Sequence, residues 1–239
     1  MVERVQAAIP TGGRDSDGER LIRAVLFDLD GTLADTAPDL GAALNTLRRQ
    51  ADLDELPLNT IRPWVSKGAR GLIQCGFGLD SGAPEAAALV DALLDHYAGA
   101  VCVRTRLFPG MDRVLDQIES RGLCWGIVTN KPRRFTHPLM DGLGLSQRAG
   151  CLVCGDTLPV RKPDPAPIHL ACAQLRVPPS MAVMVGDDRR DILAARAAGA
   201  WSLAATYGYV EQTDPPGAWP AHGLVHQPTD LLNWLDRTS

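Results

Sequence analysis

The segment Ala24-Val25-Leu26-Phe27-Asp28-Leu29-Asp30-Gly31-Thr32-Leu33 constrains this chain more than any other. An apolar run that stops abruptly at acid and then glycine reads as a buried parallel strand presenting two carboxylates at its carboxyl end. Open α/β sheets put their ligand sites there. Residues two apart on an extended chain face the same side, so Asp28 and Asp30 can share a pocket while Leu29 turns into the core. Gly31 lets the backbone leave the strand sharply. Carboxylates held this close repel unless a cation lies between them or one keeps a proton. A site of oxygen donors with few protein ligands suits Mg²⁺, which accepts a substrate phosphate into its shell. Taken alone, the same stretch also reads as a strand followed by an ordinary Asp-Gly turn.

Strand and helix patterns alternate again further along. Apolar runs at Cys124 to Val128, Cys151 to Cys154, Met181 to Val185 and Trp201 to Ala205 read as strands. Helical spacing is found at Met111, Val114, Leu115 and Ile118, from about Arg133 to Gly142, and from Asp191 to Ala198. This alternation predicts a parallel sheet with helices on both faces, a Rossmann-like doubly wound α/β core. Residues 37–108 carry only helical patterns, broken at Pro57 and Pro63 and restarted at Pro84. They read as an all-helical cap domain inserted after the first strand, the core being residues 21–36 and 109–239. Residues 1–20, glycine-rich and without apolar periodicity, read as a mobile extension. The C-terminal stretch is irregular until a final helix around Leu231 to Leu235, with Trp219 and Trp234 expected on the core.

Composition narrows the function classes. Of 239 residues 45% are hydrophobic, the net charge is −4, and basic pairs are scattered rather than gathered into a tract. Nucleic acid is therefore not an expected partner. No apolar run is long enough to span a bilayer, and no secretory pattern opens the chain, so a cytoplasmic protein without a membrane partner is expected. The six cysteines lie in apolar segments, and Cys151-x-x-Cys154 reads as a buried strand with reduced thiols.

Three more predicted strand ends carry polar groups. Thr129-Asn130-Lys131-Pro132 offers a hydroxyl and backbone N–H groups to phosphate oxygens, although Thr-Asn is also common turn chemistry. Arg161-Lys162-Pro163-Asp164-Pro165 fixes a lysine in stiff backbone, where it could neutralise a phosphate and a carboxylate together; its plain alternative is a surface lysine. Val185-Gly186-Asp187-Asp188-Arg189-Arg190-Asp191 adds acid after a buried strand. Asp187 stands where it could complete a Mg²⁺ shell, whereas Asp188 and Asp191 open a helix and equally suit capping.

In order, these segments run Asp-x-Asp-Gly-Thr, strand-Thr-Asn, Lys-Pro and Gly-Asp-x-x-x-Asp. The set resembles the four motifs of phosphatases of the haloacid dehalogenase superfamily and spans about residues 24 to 200. The resemblance implies a Mg²⁺-dependent phosphomonoester hydrolase in which Asp28 is the nucleophile and Asp30 the acid and base. It further implies that Thr129, Asn130 and Lys162 hold the phosphoryl group, with Mg²⁺ on Asp28, the Asp30 carbonyl and Asp187. Asp191, with Asp188 beside it, would stand behind these groups, Asp191 tethering Lys162 or a metal-bound water.

Within the superfamily the chain resembles the phosphoglycolate phosphatase group through Asp28-Leu-Asp-Gly-Thr-Leu-Ala-Asp35-Thr, Thr129-Asn-Lys-Pro and Val185-Gly-Asp. It is also similar to N-acetylmuramic acid 6-phosphate phosphatases through Val65-Ser-Lys-Gly-Ala-Arg70, Tyr207-Gly-Tyr209 and Gly186-Asp-Asp, where Asp188 departs from the small residue of the phosphoglycolate pattern. The expected partner is a small carboxylated or sugar phosphate, read by Ser66, Lys67 and Arg70 of the insert. Arg70 could receive a substrate carboxylate or be a plain helix-surface charge. A phosphosugar mutase, or a binding protein of the same fold without catalysis, is the alternative function. Oligomeric state is not legible.

Overall fold

The computed structural model describes residues 21–237 apart from Ser81 and Gln212, so the expected N-terminal extension lies outside the described residues. In chain order the elements are β1 (Ala24–Phe27), β2 (Ala34–Asp35), α1 (Ala37–Gln50), α2 (Leu58–Ile61), a 3₁₀ segment (Arg62–Lys67), α3 (Gly68–Phe77), α4 (Pro84–Ala98), β3 (Arg106–Leu107) and α5 (Met111–Ser120). There follow β4 (Cys124–Val128), α6 (Arg133–Gly142), β5 (Cys151–Val153), α7 (Ala166–Leu175), β6 (Ala182–Gly186), α8 (Arg189–Ala197), β7 (Trp201–Ala205), β8 (Gly223–Val225) and α9 (Asp230–Asp236).

Six parallel strands form one sheet in the order β5-β4-β1-β6-β7-β8. The chain builds outward from β1 through β4 to β5, then returns to the other side of β1 and continues through β6, β7 and β8. That reversal puts a topological switch point at the carboxyl end of β1, the crevice where doubly wound sheets take ligands. The strands are buried on both faces. Val25 and Phe27 join one apolar layer with α5, α9 and the insert, while Ala24 and Leu26 join the other with α7 and α8. Such two-sided burial explains why these strands read as continuous apolar runs rather than alternating ones.

Three details differ from the sequence expectations. First, β1 ends at Phe27, so Asp28 lies just past the strand and Asp30 beyond a turn residue, bridged to Ala34. Leu29 is nevertheless fully buried, and both acids still line one cavity. Gly31, at φ +83°, closes this turn, and a Cβ there would stand 2.2 Å from the Asp187 carboxylate.

Second, the helical region stops at Ala98 rather than running on to 107. The chain instead returns through β3, which pairs antiparallel with β2 and joins the two ends of the insert. Third, α7 and β8 were not expected; α7 supplies the crossover that parallel β5 and β6 require. Trp219 and Trp234 are buried as expected, and the described cysteines are free. Burial pushes the Cys151 thiol up to about 12, which makes it a packing residue rather than a nucleophile. No helix among the described residues is long and apolar enough to cross a membrane.

Candidate active site

The ends of β1, β4 and β6 lie side by side, and each contributes polar groups. Asp28 follows β1, and its backbone N–H donates to the Val185 carbonyl at 2.9 Å, locking it against β6. Lys162 arrives from the loop before α7. Its Nζ donates to Asp28 Oδ1 at 2.9 Å, pairs with Asp191 Oδ1 at 2.7 Å and also donates to the Val128 carbonyl. A lysine with 2% of its side chain exposed needs such partners, because burial alone favours the neutral amine. Burial does act to lower its pKa, but Asp191 and Asp28 more than offset it and hold the ammonium above the ordinary lysine range.

Asp187 follows β6. Its Oδ1 accepts from the Thr32 hydroxyl at 2.8 Å and its Oδ2 from the Tyr209 N–H at 2.8 Å, with the Ser66 hydroxyl of the insert at 3.5 Å. Asp28, Asp187 and Asp191 each offer an oxygen within 4.8 Å of the others. Burial, then Asp28 and Asp191, push the Asp187 carboxyl well above its usual range despite those hydrogen bonds. Asp191 is raised to about 7, by burial first, with Lys162 opposing and Asp28 adding to the rise. Three carboxylates sharing one ammonium are short of positive charge. A hard divalent cation of oxygen preference, such as Mg²⁺, meets that need, and the donor set fits it.

Asp30 faces away from this cluster. Its Oδ1 accepts from Thr36 Oγ1 at 2.6 Å and from Lys131 Nζ at 2.9 Å, so its side chain is no member of the acidic trio. Lys131, given no role by the sequence reading, is almost fully buried between Asp30 and the Tyr97 ring of α4, 4.6 Å from the ring centroid. Burial lowers its pKa, but Asp30 and Tyr97 reverse the direction and keep it charged. Its signal in sequence was its place in the Thr-Asn-Lys-Pro turn.

Thr129 is buried and lines the cavity; its hydroxyl accepts from the Lys131 N–H. Asn130 spends its side chain on the backbone of Lys162. Its Oδ1 accepts from the Lys162 N–H at 3.1 Å and its Nδ2 donates to the Lys162 carbonyl at 3.0 Å, so the side-chain amide grips the lysine's segment. Asp188 and Asp191 do form a reciprocal cap at the start of α8. Asp191 also takes Lys162, whereas Asp188 is paired with Arg190 at 2.7 Å and stays outside the acidic trio.

Above these groups lies a cavity of about 530 Å³. The insert supplies Ser66, Lys67, Arg70, Leu72, Val90, Leu94 and Tyr97 to it, so the Ser66 to Arg70 stretch does dip into the site. Ser66 also accepts from Arg190 Nη2 through its carbonyl at 2.6 Å. Lys67 is engaged elsewhere, pairing with Glu211 at 3.2 Å.

A family model for haloacid dehalogenase-like hydrolases matches residues 22–199. A curated N-acetylmuramic acid 6-phosphate phosphatase from Pseudomonas aeruginosa is 43% identical over 216 residues, covering 90% of this chain and 96% of that protein. A curated phosphoglycolate phosphatase from Xanthomonas campestris pv. campestris is 45% identical over 213 residues, covering 89% and 96%. The crystal structure of a predicted phosphoglycolate phosphatase from Haemophilus somnus superposes with a TM-score of 0.79 at 26% identity, covering 90% of this chain and 98% of that one.

Proposed function

The chain belongs to the haloacid dehalogenase-like hydrolases and is a phosphatase, and from that premise we propose that it hydrolyses a small carboxylated phosphomonoester through a phosphorylated Asp28. The observation that carries the reading is the buried Lys162 ammonium, which bridges Asp28 and Asp191 beside Asp187 on the floor of the cavity.

A carboxylate attacks a phosphate dianion only where the charge on both is offset. Lys162 supplies one offset, and Asn130 fixes the backbone from which it reaches. Bound Mg²⁺, held by the Asp28 and Asp187 carboxylates with the Asp30 carbonyl, would supply the other and polarise the phosphoryl oxygens. Thr129 lines the same cavity, and its hydroxyl would add a donor. Asp28 attacks phosphorus, the ester P–O bond breaks, and the departing oxygen takes a proton from Asp30. Both contacts to Asp30 fall on Oδ1, which leaves Oδ2 open to the leaving oxygen. Asp30 then accepts a proton from water as its oxygen attacks the aspartyl-phosphate, releasing inorganic phosphate and restoring Asp28.

We take the helical insert, residues 37–108, as a cap that excludes bulk water and reads the leaving group. Arg70 is its candidate carboxylate contact. A second reading within the same chemistry is favoured by the cavity wall, where Leu40, Val65, Leu72, Val90, Leu94 and Phe135 present apolar surface. Phosphoglycolate offers a single methylene to such a wall. N-acetylmuramic acid 6-phosphate brings a sugar ring, an acetyl methyl and a lactyl methyl as well as its carboxylate, and the wall suits it better.

Phosphate release with Mg²⁺ from both compounds, measured on wild type and Asp28→Asn, tests the reading. Turnover by wild type and loss of at least ~10³-fold in the variant are expected. Equal rates in the two proteins would remove Asp28 from the chemistry.

A further inference from the structure

Six cationic side chains line the cavity, and four of them are already matched. Lys162 is held by Asp28 and Asp191, Lys131 by Asp30, Arg190 by Asp188 and Lys67 by Glu211. Arg70 and Arg161 remain. Neither has a side-chain hydrogen bond or ion pair among the described residues, and both are exposed where they border the cavity.

Their settings are unlike those of idle surface charges. Arg161 immediately precedes Lys162 on a fixed stretch of the core: its carbonyl accepts from the Asp164 N–H at 2.9 Å, and Asn130 grips the next residue. Its guanidinium therefore starts from a fixed point beside the lysine that faces the transferring phosphoryl. Arg70 lies in the first turn of α3, where the helix dipole disfavours a cation and favours an anion. A residue set against a local rule at a cavity wall is a candidate for function. Lys162 and the metal site serve the phosphoryl at the buried floor, whereas these two exposed guanidiniums stand at the border of the cavity, where they can take a second anion on the substrate.

Resting on the phosphatase reading above, we propose that Arg161 is a specificity-determining residue which, with Arg70 on the facing insert, holds a carboxylate on the leaving-group side of the substrate. One arginine belongs to the core and the other to the insert, so an anion held by both also ties the insert down over the site.

Two substrate pairs that differ by the carboxylate test this: phosphoglycolate against 2-hydroxyethyl phosphate, and N-acetylmuramic acid 6-phosphate against N-acetylglucosamine 6-phosphate. Arg161→Gln should lower kcat/KM on the acidic member of the preferred pair by about 10- to 100-fold, mainly through KM, the scale of one charged hydrogen-bonding partner. The neutral member should change by less than about threefold, Arg161→Lys should recover part of the loss, and the Arg70→Gln double variant should lose less than the product of the single losses. Equal losses on acidic and neutral members, or none, overturn the role of Arg161 while leaving the phosphatase intact. Failure of wild type to hydrolyse any of the four removes the reading of a small carboxylated substrate and this inference with it.

Discussion

Tyr97 is the single buried side chain, among the described residues, whose polar atom has no hydrogen-bond partner. Lys131 lies over its ring, 4.6 Å from the centroid, and the Phe135 ring packs at 5.4 Å. Burial pushes the phenol up to about 12 against the pull of Lys131, so it stays protonated and unpaired. Such a group costs the fold a desolvation that nothing returns. Tyr97→Phe keeps the ring, its cation contact and its packing while removing the oxygen. It should raise unfolding stability by roughly 1 to 2 kcal/mol in urea, with an unchanged m value; a loss of stability would show that the hydroxyl has a partner. At this scale the residues legible in sequence were those at strand ends in recognisable order, Asp28, Lys162 and Asp187. Lys131, Tyr97 and the amide grip of Asn130 were not, because each depends on which side chain of a distant element lies opposite. Spacing along the chain carries no such information.

Among elements, the insert is fastened by a carboxylate. Asp39 of α1 is buried and accepts from the N–H groups of Val103, Arg104 and Thr105 and from the Thr105 hydroxyl, at 2.7 to 3.0 Å. It thereby ties the first insert helix to the segment that returns through β3. Asp39→Ala leaves those donors without an acceptor in a dry setting and should cost about 3 to 5 kcal/mol by chemical denaturation. Asp39→Asn keeps an acceptor oxygen and should cost less; equal costs would mean that packing, not hydrogen bonding, holds the segment. The elements that could be read in advance were long or strongly apolar. β4 and β7 fall where their apolar runs stand, and α8 starts at Arg189 because Asp188 caps it. β2, β3 and β8 have two or three residues, too few for any period to register. α7 lacks a polar face, being largely apolar and bounded by prolines, and only the requirement for a crossover between parallel β5 and β6 would have revealed it.

For the whole molecule, the sheet gathers acid at its switch point faster than the chain supplies cations there. Asp187 and Asp191 both hold protons more tightly than an ordinary carboxyl near 3.8, Asp191 up to about 7, and burial leads the causes in each. A carboxyl raised on folding binds more protons in the native state, so its contribution is complete below the unfolded value and is lost as pH climbs through the folded one. The lowered carboxyls, Glu119, Asp188, Asp214 and Asp230, act in the opposite sense, but their gain is complete once pH has passed the ordinary carboxyl range. Above about pH 5 the buried pair therefore governs, and the thermal midpoint of metal-free protein should fall between about pH 5 and pH 7.5. Mg²⁺ binds ionised carboxylates and not protonated ones, so it should raise the midpoint more at about pH 7.5 than at pH 5. Thermal scans with and without Mg²⁺ at the two pH values decide the matter. A metal-free midpoint that rises with pH would mean the acids are already balanced by the protein. An equal Mg²⁺ gain at both values would mean that the ion binds somewhere other than this trio.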